Sequence, residues 1–410
     1  MAFAVSPARR AAYEVIRRVF EDDAYADRVF RGASEGLSAR DRALAQRLAY
    51  GTVQRVRTLD HAIEKLARRP MRKLDPPVRA ALRLGAYQLA YSEVARHAAV
   101  NETVELVRAA RLERAVPFTN AVMRRLTVGL DDLLAALPEE TIVQAALKHS
   151  YPDWVAEVWW RDLGAGAARA LMAAQNEAPE TVVRLVRGDP PPDAEPTDIP
   201  GAYRVKRVDE TALAEGRIWP QSRGSQLAGL VVGAQGDERI LDLCAAPGGK
   251  ATQLGGEVTA VELNAGRARE LQENVTLLGA TNVTVVEADG LALPAELTGF
   301  DRALVDAPCS GLGVLAARPD LRWRARPLPE LQLELLRAAA ERVRPGGTIV
   351  YSVCTINADE NEAVVDASGL EVVPLGQEWP QFAHPQRPEL LLTLPHVHGT
   401  TGFFVSRLRV

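Results

Sequence analysis

All three cysteines lie where a parallel β-sheet would collect its reactive groups. Cys309 and Cys354 each follow an apolar run of the kind that forms a buried strand, and Cys244 follows another. Because the carboxyl ends of parallel strands meet in one crevice, we expect these thiols to lie near it. A disulfide is disfavoured in the reducing cytoplasm, where we expect the protein to reside. The pattern leaves two interpretations: buried structural thiols, or a thiolate nucleophile assisted by a second thiol.

A second candidate site is the stretch LDLCAAPGGK at residues 241–250. It begins as a buried strand and ends in Pro-Gly-Gly, where the backbone must turn sharply and pass close to a ligand. We expect a helix after this turn, with its N-terminal amides directed at the ligand. Glu262 lies twenty residues after Asp242, at the end of the next apolar run, a spacing that places a carboxylate on a ribose. Since the glycines do not read G-x-G-x-x-G, a mononucleoside-like ligand is favoured over a dinucleotide; an ordinary tight turn is the alternative.

Further carboxylates follow other apolar runs of the same region. Asp289 follows the third run, and Asp306 stands at the end of the fourth, shortly before Cys309. An adenosine-bearing ligand needs carboxylates for its ribose and its amine. We therefore expect Glu262 and Asp289 to serve those two groups.

Strands and helices alternate from about residue 219, and these elements would position the candidate residues. Apolar patterning predicts two helices, at 264–278 and 329–343, and strands at 239–244, 258–262, 283–288, 300–305 and 347–353. A final strand at 402–408 should join the edge of the sheet in antiparallel orientation. Residues 219–410 are thus predicted to form an α/β, Rossmann-like domain with a mixed, mostly parallel sheet.

The first part of the chain has a different pattern. Residues 1–140 carry apolar residues at helical spacing with short connections, which predicts an all-α bundle. Residues 141–218 predict linker helices and a small α/β subdomain with short strands at 181–186 and 203–208. The pattern does not distinguish a part that binds a partner molecule from one that only packs against its neighbours. The chain is therefore expected to be multidomain.

Composition restricts the class of protein. The 410 residues are 47% hydrophobic and 25% charged, as in a globular protein with two or three domains. No apolar run approaches the roughly 18 residues of a membrane span, and the N-terminus does not read as a signal peptide. We therefore expect a cytoplasmic protein without a membrane partner. The cysteines and the six histidines show no metal-ligand spacing, so no metal is expected.

The net charge of −4 conceals an asymmetry between the two parts of the chain. Residues 1–150 carry a net charge of +7, and the remainder carries −11. Residues 55–83 alone contain nine basic and three acidic residues. Such a basic domain suits a polyanion. A solvated, arginine-rich helix surface is the alternative.

Several strings in the helical part resemble the NusB family of RNA-binding domains. They are SARDRALA (38–45), YGTV (50–53), LRLGAYQL (82–89), HAAVNETV (97–104) and FTNAVMRR (118–125). Each string is modest, but their order is specific. The resemblance implies RNA binding, which agrees with the basic charge of this part.

The second part of the chain resembles the RNA cytosine carbon-5 methyltransferases that use S-adenosylmethionine. The matching strings are LDLCAAPGGK (241–250), VDAPCSGLG (305–313), PDLRWR (319–324), YSVCTINADENE (351–362) and TGFFV (401–405). A NusB-like domain in front of them resembles the RsmB/Sun branch, whose substrate is 16S ribosomal RNA. Transfer RNA or another RNA is the alternative substrate.

This resemblance implies a role for each site residue. Cys354 would attack carbon 6 of the cytosine, and Cys309 would help to release the product. Residue types alone do not order the two thiols, because DNA cytosine methyltransferases attack from a Pro-Cys motif. Asp306 would hydrogen-bond the base or orient the cofactor, and Lys250 would contact the cytosine or stabilise charge. The implied cofactor-binding residues are Cys244, Ala245, Ala246, Pro247, Gly248, Gly249, Lys250, Glu262, Asp289 and Asp306.

Two other classes of protein compete with this interpretation. Amino-group methyltransferases place an aromatic residue after a Pro-Pro pair, whereas residues 307–309 here read Ala-Pro-Cys. A non-catalytic, NusB-like RNA-binding factor would not need the cysteines and the Gly-Gly turn. The sequence also departs from the family pattern: Val353 stands where Thr is frequent, and Ser222 and Arg223 stand where Asp and Ala are common. These departures would alter only local hydrogen bonding.

Overall fold

The computed structural model describes residues 5–410. Its α-helices are α1 (Pro7–Glu21), α2 (Ala26–Ala33), α3 (Ala39–Gln54), α4 (Val56–Ala67), α5 (Pro76–Tyr91), α6 (Arg96–Ala109), α7 (Val116–Ala135), α8 (Ile142–His149), α9 (Asp153–Leu163), α10 (Ala165–Ala174), α11 (Glu210–Ala214), α12 (Arg223–Val232), α13 (Ala265–Leu278), α14 (Leu321–Arg324), α15 (Pro329–Ala340), α16 (Glu362–Ser368) and α17 (Pro395–His398). Its strands are β1 (Val182–Leu185), β2 (Glu195–Pro196), β3 (Ala202–Arg204), β4 (Ile218–Pro220), β5 (Arg239–Leu243), β6 (Glu257–Glu262), β7 (Val283–Glu287), β8 (Phe300–Asp306), β9 (Val343–Val353), β10 (Glu371–Val373), β11 (Leu391–Thr393) and β12 (Phe403–Arg409). Within residues 5–410, no helix is both long enough and apolar enough to cross a membrane.

The described residues pack as two units. The helical unit runs up to Glu177 and also includes the short segment Leu315–Arg324. The sheet unit comprises Ala178–Val314 and Ala325–Val410. The domain boundaries near residues 140 and 218, which the sequence suggested, stay predictions.

The helical unit is all-α, as predicted. Helix α1 begins with Pro7, which suits a first turn because its missing N–H needs no partner there. The Ser38 side chain caps α3 by accepting a hydrogen bond from the Asp41 backbone N–H at 3.1 Å. Gly51 lets the Tyr87 ring approach the α3 backbone, since a Cβ at that position would lie 2.1 Å from the Tyr87 hydroxyl. The apolar faces of the helices meet in one core.

The segment Leu315–Arg324 completes the helical unit, although it lies between β8 and α15 in sequence. The Arg322 side chain is fully buried and donates to the carbonyl oxygens of Gln54 and Gln175 at 3.1 and 2.7 Å. Its guanidinium carbon lies 4.0 Å from the centroid of the Tyr151 ring. Burial lowers the pKa of Arg322 to about 10, so it remains a cation held by carbonyl dipoles. The indole N–H of Trp323 donates to the Val53 carbonyl at 2.8 Å.

The main sheet of the second unit has the order β10-β12-β9-β8-β5-β6-β7, with β11 also paired to β12. Strands β5 to β9 pair in parallel with one another, so the predicted mixed, mostly parallel sheet is confirmed. Strand β12 is antiparallel to β9, as predicted, but it is not an edge strand. Its first half pairs with β11 and its second half with β10, because its seven residues offer enough backbone for both short strands.

A smaller sheet precedes the main one. Strands β2, β3, β1 and β4 form an antiparallel sheet, and α11 follows β3. The predicted strand at 203–208 is shorter than expected, since β3 ends at Arg204. Together these elements form the predicted small α/β part.

Candidate active site

The turn after β5 brings its backbone close to neighbouring groups. Cys244 and Gly248 have positive φ angles of 62° and 104°. A Cβ on Gly248 would lie 2.7 Å from the Leu271 side chain, and one on Gly249 would lie 3.0 Å from the Trp219 indole nitrogen. Glycine adopts a positive φ without strain, and its missing Cβ leaves space for the Leu271 and Trp219 side chains. The turn therefore has the tight backbone that the sequence predicted.

The helix predicted after this turn was wrong. The chain forms only one 3₁₀ turn, Ala251–Gln253, before β6 begins at Glu257. Six residues separate Lys250 from Glu257, and two of them are glycines. This connection is too short for a full α-helix.

A cavity of about 300 Å³ opens beside the turn. Its lining includes much of the 241–250 stretch, with Lys250 at its end, and also Asp306 and Cys354. The residues around it are Trp219, Pro220, Gln221, Ser222, Ser225, Asp242, Cys244, Ala245, Ala246, Pro247, Gly249, Lys250, Asp306, Val314, Cys354 and Phe403. Gly248, Glu262, Asp289 and Cys309 lie outside this lining.

The structure brings two of the three thiols together. The Sγ atoms of Cys309 and Cys354 lie 3.4 Å apart. Their mutual hydrogen bond raises the pKa of Cys309, and burial raises it further. The same hydrogen bond lowers the pKa of Cys354 and outweighs burial and the charge of Asp306, which raise it; the positive charge of Lys250 also lowers it. Cys354 is therefore the thiol of the pair that ionises first.

The third thiol is separate from this pair. Burial raises the pKa of Cys244 to about 12, and the carboxylates of Asp306, Glu262 and Asp242 add to the shift. A thiol with this pKa is protonated at neutral pH and is a poor nucleophile. Cys244 thus lines the cavity without sharing the chemistry of the pair.

Lys250 and Asp306 form an ion pair at the edge of the cavity. The Lys250 Nζ lies 2.7 Å from Asp306 Oδ2, and it also lies 5.1 Å from the Phe403 ring centroid. The Ser352 hydroxyl donates to Asp306 Oδ1 at 2.8 Å. Both oxygens of Asp306 therefore have a partner, so the orientation of this carboxylate is well determined.

Asp242 is the unusual carboxyl group of the site. It is only 1% exposed, and neither side-chain oxygen has a hydrogen-bond partner. Burial raises its pKa well above the ordinary value, and the nearby charge of Asp306 raises it further. An unpaired buried acceptor in a cavity wall has free capacity for a ligand donor.

The two predicted ribose and amine carboxylates lie at neighbouring strand ends. Glu262 is buried; its Oε1 accepts from the Asn264 N–H at 3.0 Å, and its Oε2 accepts no hydrogen bond. The Oε2 atom lies 3.5 Å from Arg267 Nη1. Asp289 is exposed and accepts from the Leu291 N–H at 2.9 Å. Each carboxylate thus keeps acceptor capacity.

Arg223, one of the departures from the family pattern, links three parts of the sheet unit. Its guanidinium lies 2.9 Å from Glu180 Oε1 and 2.8 Å from Asp198 Oδ1, and it donates to the His398 carbonyl at 2.6 Å. The arginine at this position, where Ala is common in the family, thus adds contacts to the small sheet and to the end of α17. It does not contact the pair formed by Cys309 and Cys354.

The fold and the site together define an S-adenosylmethionine-dependent methyltransferase. The doubly wound sheet, the glycine turn after β5 and the carboxylate at the end of β6 are the features of that class. Residues 230–409 match the family model described as 16S rRNA methyltransferase RsmB/F, and residues 6–127 match the NusB family. The chain belongs to the RsmB/F family of 16S rRNA methyltransferases.

Curated relatives match nearly the whole chain. Ribosomal RNA small subunit methyltransferase B of Klebsiella pneumoniae is 30% identical over 98% of this chain and 97% of its own length. The protein of the same name from Sodalis glossinidius is 33% identical over 91% of this chain and 90% of its own. Both relatives carry the two parts of the chain together.

Solved structures show the same fold. The crystal structure of PH0851 covers 100% of both chains with a TM-score of 0.78 at 24% identity. A methyltransferase homologue from Pyrococcus horikoshii covers 66% of this chain and 99% of its own, with a TM-score of 0.56 at 24% identity.

The residues present fit S-adenosylmethionine. Glu262 offers a buried oxygen without a hydrogen bond, and Asp242, which lines the cavity, offers two. When bound, this cofactor supplies a methyl group on a sulfonium. Within residues 5–410, no cluster of three or more His, Cys, Asp or Glu side chains could hold a metal ion.

Sequence reasoning missed several residues that shape the site. Ser352 faces Asp306 because these residues are partners in the β8–β9 register. Phe403 contacts Lys250 from a strand about 150 residues away, and Trp219 packs on the glycine turn from β4. Ser352 and Phe403 lie in strings that marked the family, but no local signal shows which groups they contact.

Proposed function

We propose that this protein methylates carbon 5 of a cytosine in RNA through a covalent bond between Cys354 and the base. The observation that carries the proposal is the pair of thiols 3.4 Å apart beside the cofactor cavity, with the pKa of Cys354 lowered and that of Cys309 raised. One thiolate beside one thiol is what nucleophilic attack followed by release requires.

The chemistry explains why a thiolate is needed. Carbon 5 of cytosine is a poor nucleophile, but a bond from the Cys354 Sγ to carbon 6 moves the electron pair of the 5,6 double bond onto carbon 5. Carbon 5 can then accept the methyl group. Transfer of the carbon-5 proton to water restores the double bond, breaks the sulfur–carbon bond and returns the electron pair to Cys354. Cys309 assists this release.

Two charged groups accompany these steps. Asp306, held by Lys250 and Ser352, is placed to hydrogen-bond the base or to orient the cofactor. Lys250 stabilises negative charge near Cys354. The residues proposed to hold S-adenosylmethionine are Cys244, Ala245, Ala246, Pro247, Gly248, Gly249, Lys250, Glu262, Asp289 and Asp306.

The proposed substrate is small-subunit ribosomal RNA. The relatives from Klebsiella and Sodalis are named for that RNA and match this chain over both of its parts. A transfer RNA substrate would require the same thiol chemistry, so the RNA must be identified separately from the reaction.

The helical unit offers a surface for RNA phosphates. Arg68, Arg69, Arg72 and Lys73, here called the basic cluster, are exposed at the end of α4 and in the following 3₁₀ turn. In the described part of the chain, none of the four forms an ion pair, whereas Arg17 on α1 pairs with Glu21. The Arg69 guanidinium also lies 5.4 Å from the Phe118 ring centroid. Unpaired exposed cations beside an aromatic ring suit an RNA backbone.

Tritium release tests the reaction. RNA with tritium on carbon 5 of cytosine should lose the label to water when S-adenosylmethionine is present, because only carbon-5 substitution expels that hydrogen. Cys309→Ala should instead accumulate a denaturation-resistant, methylated protein–RNA adduct at Cys354, and Cys354→Ala should give none. Methylation without tritium release would contradict the proposal and favour an amino-group methyltransferase. Absence of any methyl transfer would favour a non-catalytic RNA-binding factor.

Salt dependence tests the RNA surface. Changing Arg69, Arg72 and Lys73 together to Ala should weaken RNA binding and reduce the slope of log K against log salt by about 2 to 3, since each phosphate contact contributes roughly one. Arg17→Ala is the matched control, because its charge is already paired. An unchanged slope in the triple variant would place the RNA elsewhere.

A further inference from the structure

Glu360 is a fully buried carboxylate that forms no ion pair among residues 5–410. Neutral donors surround it instead. Its Oε1 accepts from the backbone N–H groups of Ser310 and Leu328 at 2.9 and 3.1 Å and from Gln332 Nε2 at 2.9 Å. Its Oε2 accepts from Asn357 Nδ2 at 3.1 Å and from the Ser310 hydroxyl. Every contact is a donor, as an acceptor-only carboxylate requires.

Two of these donors, Ser310 and Gln332, act on the backbone on either side of Cys309. Ser310 directly follows that cysteine and donates to Glu360 from both its backbone and its side chain. Gln332, a second donor to Glu360, also donates to the carbonyl of Pro308 at 2.9 Å, directly before the cysteine. Glu360 and Gln332 therefore hold the loop on both sides of Cys309.

A second connection reaches Cys354. The oxygens of Ser310 and Thr355 lie 2.7 Å apart, and Thr355 directly follows Cys354. Because the single hydroxyl proton of Ser310 goes to Glu360, the Thr355 hydroxyl must donate to Ser310. The two cysteine loops are thus joined through one hydrogen-bond chain that ends on the Glu360 carboxylate.

The negative charge of Glu360 distinguishes the two thiols. It acts on Cys309, where it adds to the mutual hydrogen bond and burial in raising the pKa. On Cys354 the mutual hydrogen bond lowers the pKa, while two nearby charges oppose each other, since Asp306 raises this pKa and Lys250 lowers it. The charge of Glu360 therefore favours a proton on Cys309 and leaves the negative charge to Cys354.

We propose that Glu360 is the positioning residue of the thiol pair: it holds the Cys309 loop against Cys354 and keeps the shared proton on Cys309. This inference rests on the proposed function, because it assigns Cys354 as the nucleophile. Glu360 itself touches neither thiol and acts through Ser310 and through its charge.

Alkylation rates show which of the two thiols is ionised, and the measurement needs neither RNA nor cofactor. A thiolate displaces iodide from iodoacetamide, so a sulfur–carbon bond forms as the carbon–iodine bond breaks, and the rate at each cysteine reports its thiolate fraction. In the unchanged protein, Cys354 should react faster than Cys309 at pH 7. Glu360→Gln should reduce this ratio by about tenfold, the effect of one pKa unit. Asp359→Asn is the matched control, with the same chemical change on an exposed neighbouring residue, and should leave the ratio unchanged.

Glu360→Asp separates charge from position. It keeps the negative charge but shortens the side chain, so the alkylation ratio should persist while single-turnover methyl transfer slows by about tenfold. A folded Glu360→Gln variant with the original ratio would overturn the proposal. If Glu360→Gln does not fold, the test rests on Glu360→Asp. Loss of the difference in alkylation rate between Cys354 and Cys309 would overturn the proposal. An unchanged alkylation ratio together with an unchanged rate of methyl transfer would also overturn it. Failure of tritium release in the unchanged protein would overturn the proposed function instead, whatever the alkylation ratio.

Discussion

The thiol end and the carboxylate end of the site differ in how completely their polar groups are satisfied. At the thiol end, Asp306 has a partner on both oxygens, and the two thiols are hydrogen-bonded to each other. At the carboxylate end, Glu262 keeps a buried oxygen without a hydrogen bond, and Asp289 faces solvent.

This difference matches two kinds of task. Bond formation requires reacting groups with a fixed geometry and a shifted pKa, so the chain supplies their partners itself. Ligand binding requires acceptors that the ligand will satisfy, so the chain leaves them open. Changes at the thiol end should therefore affect rate, and changes at the carboxylate end should affect cofactor affinity.

The largest effect is expected at Cys354. Cys354→Ala removes the group that forms the bond to the base, so single-turnover methyl transfer should fall ~10³-fold or more. Affinity for S-adenosylmethionine, measured by calorimetry, should stay within about threefold, because one small side chain of the lining is shortened. Normal turnover by this variant would show that the nucleophile lies elsewhere.

A change at the other end should act on binding alone. Glu262→Gln removes a charged acceptor, so the Kd for S-adenosylmethionine should rise about tenfold to a hundredfold. The rate at saturating cofactor should be nearly unchanged. Glu257→Gln, on the exposed first residue of the same strand, is the control. An equal loss of rate at saturation would mean that the two ends do not divide the tasks.

The pH profile sharpens the assignment of the thiolate. Because the pKa of Cys354 is lowered, methyl transfer should rise about tenfold per pH unit and level off below the usual thiol pKa of about 8.5. Lys250→Met should shift the rising part of the pH profile to higher pH, since the lost positive charge favoured the thiolate. If the rate in the unchanged protein levelled off only at or above about pH 8.5, this would contradict the lowered pKa of Cys354.

The smallest effect is expected at Asp289. Its carboxylate is exposed, so water already competes for its hydrogen bonds, and Asp289→Asn should raise the cofactor Kd only about threefold. The same calorimetric titration compares it directly with Glu262→Gln. A larger effect than at Glu262 would reverse the expected importance of the two carboxylates.

Two local predictions from the sequence were wrong for reasons of chain length. The connection between Lys250 and β6 is too short for the helix that often follows a glycine turn. The last strand was expected at the edge, but β10 and β11 each pair with half of it. Both short strands have only three residues, so their apolar pattern carries almost no period.

The sequence by itself determined the order of the main parallel strands, the strand-end positions of the three cysteines and the motifs of the family. These features are local, because apolar periodicity and turn residues act over a few positions. Only the tertiary structure decided which groups meet. Ser352 faces Asp306 through strand register, and Glu360 gathers donors from three separate loops. Likewise, burial of Arg322 places residues 315–324 in the helical unit. Such contacts join residues far apart in the chain, and their free energy depends on desolvation and distances that no local pattern encodes.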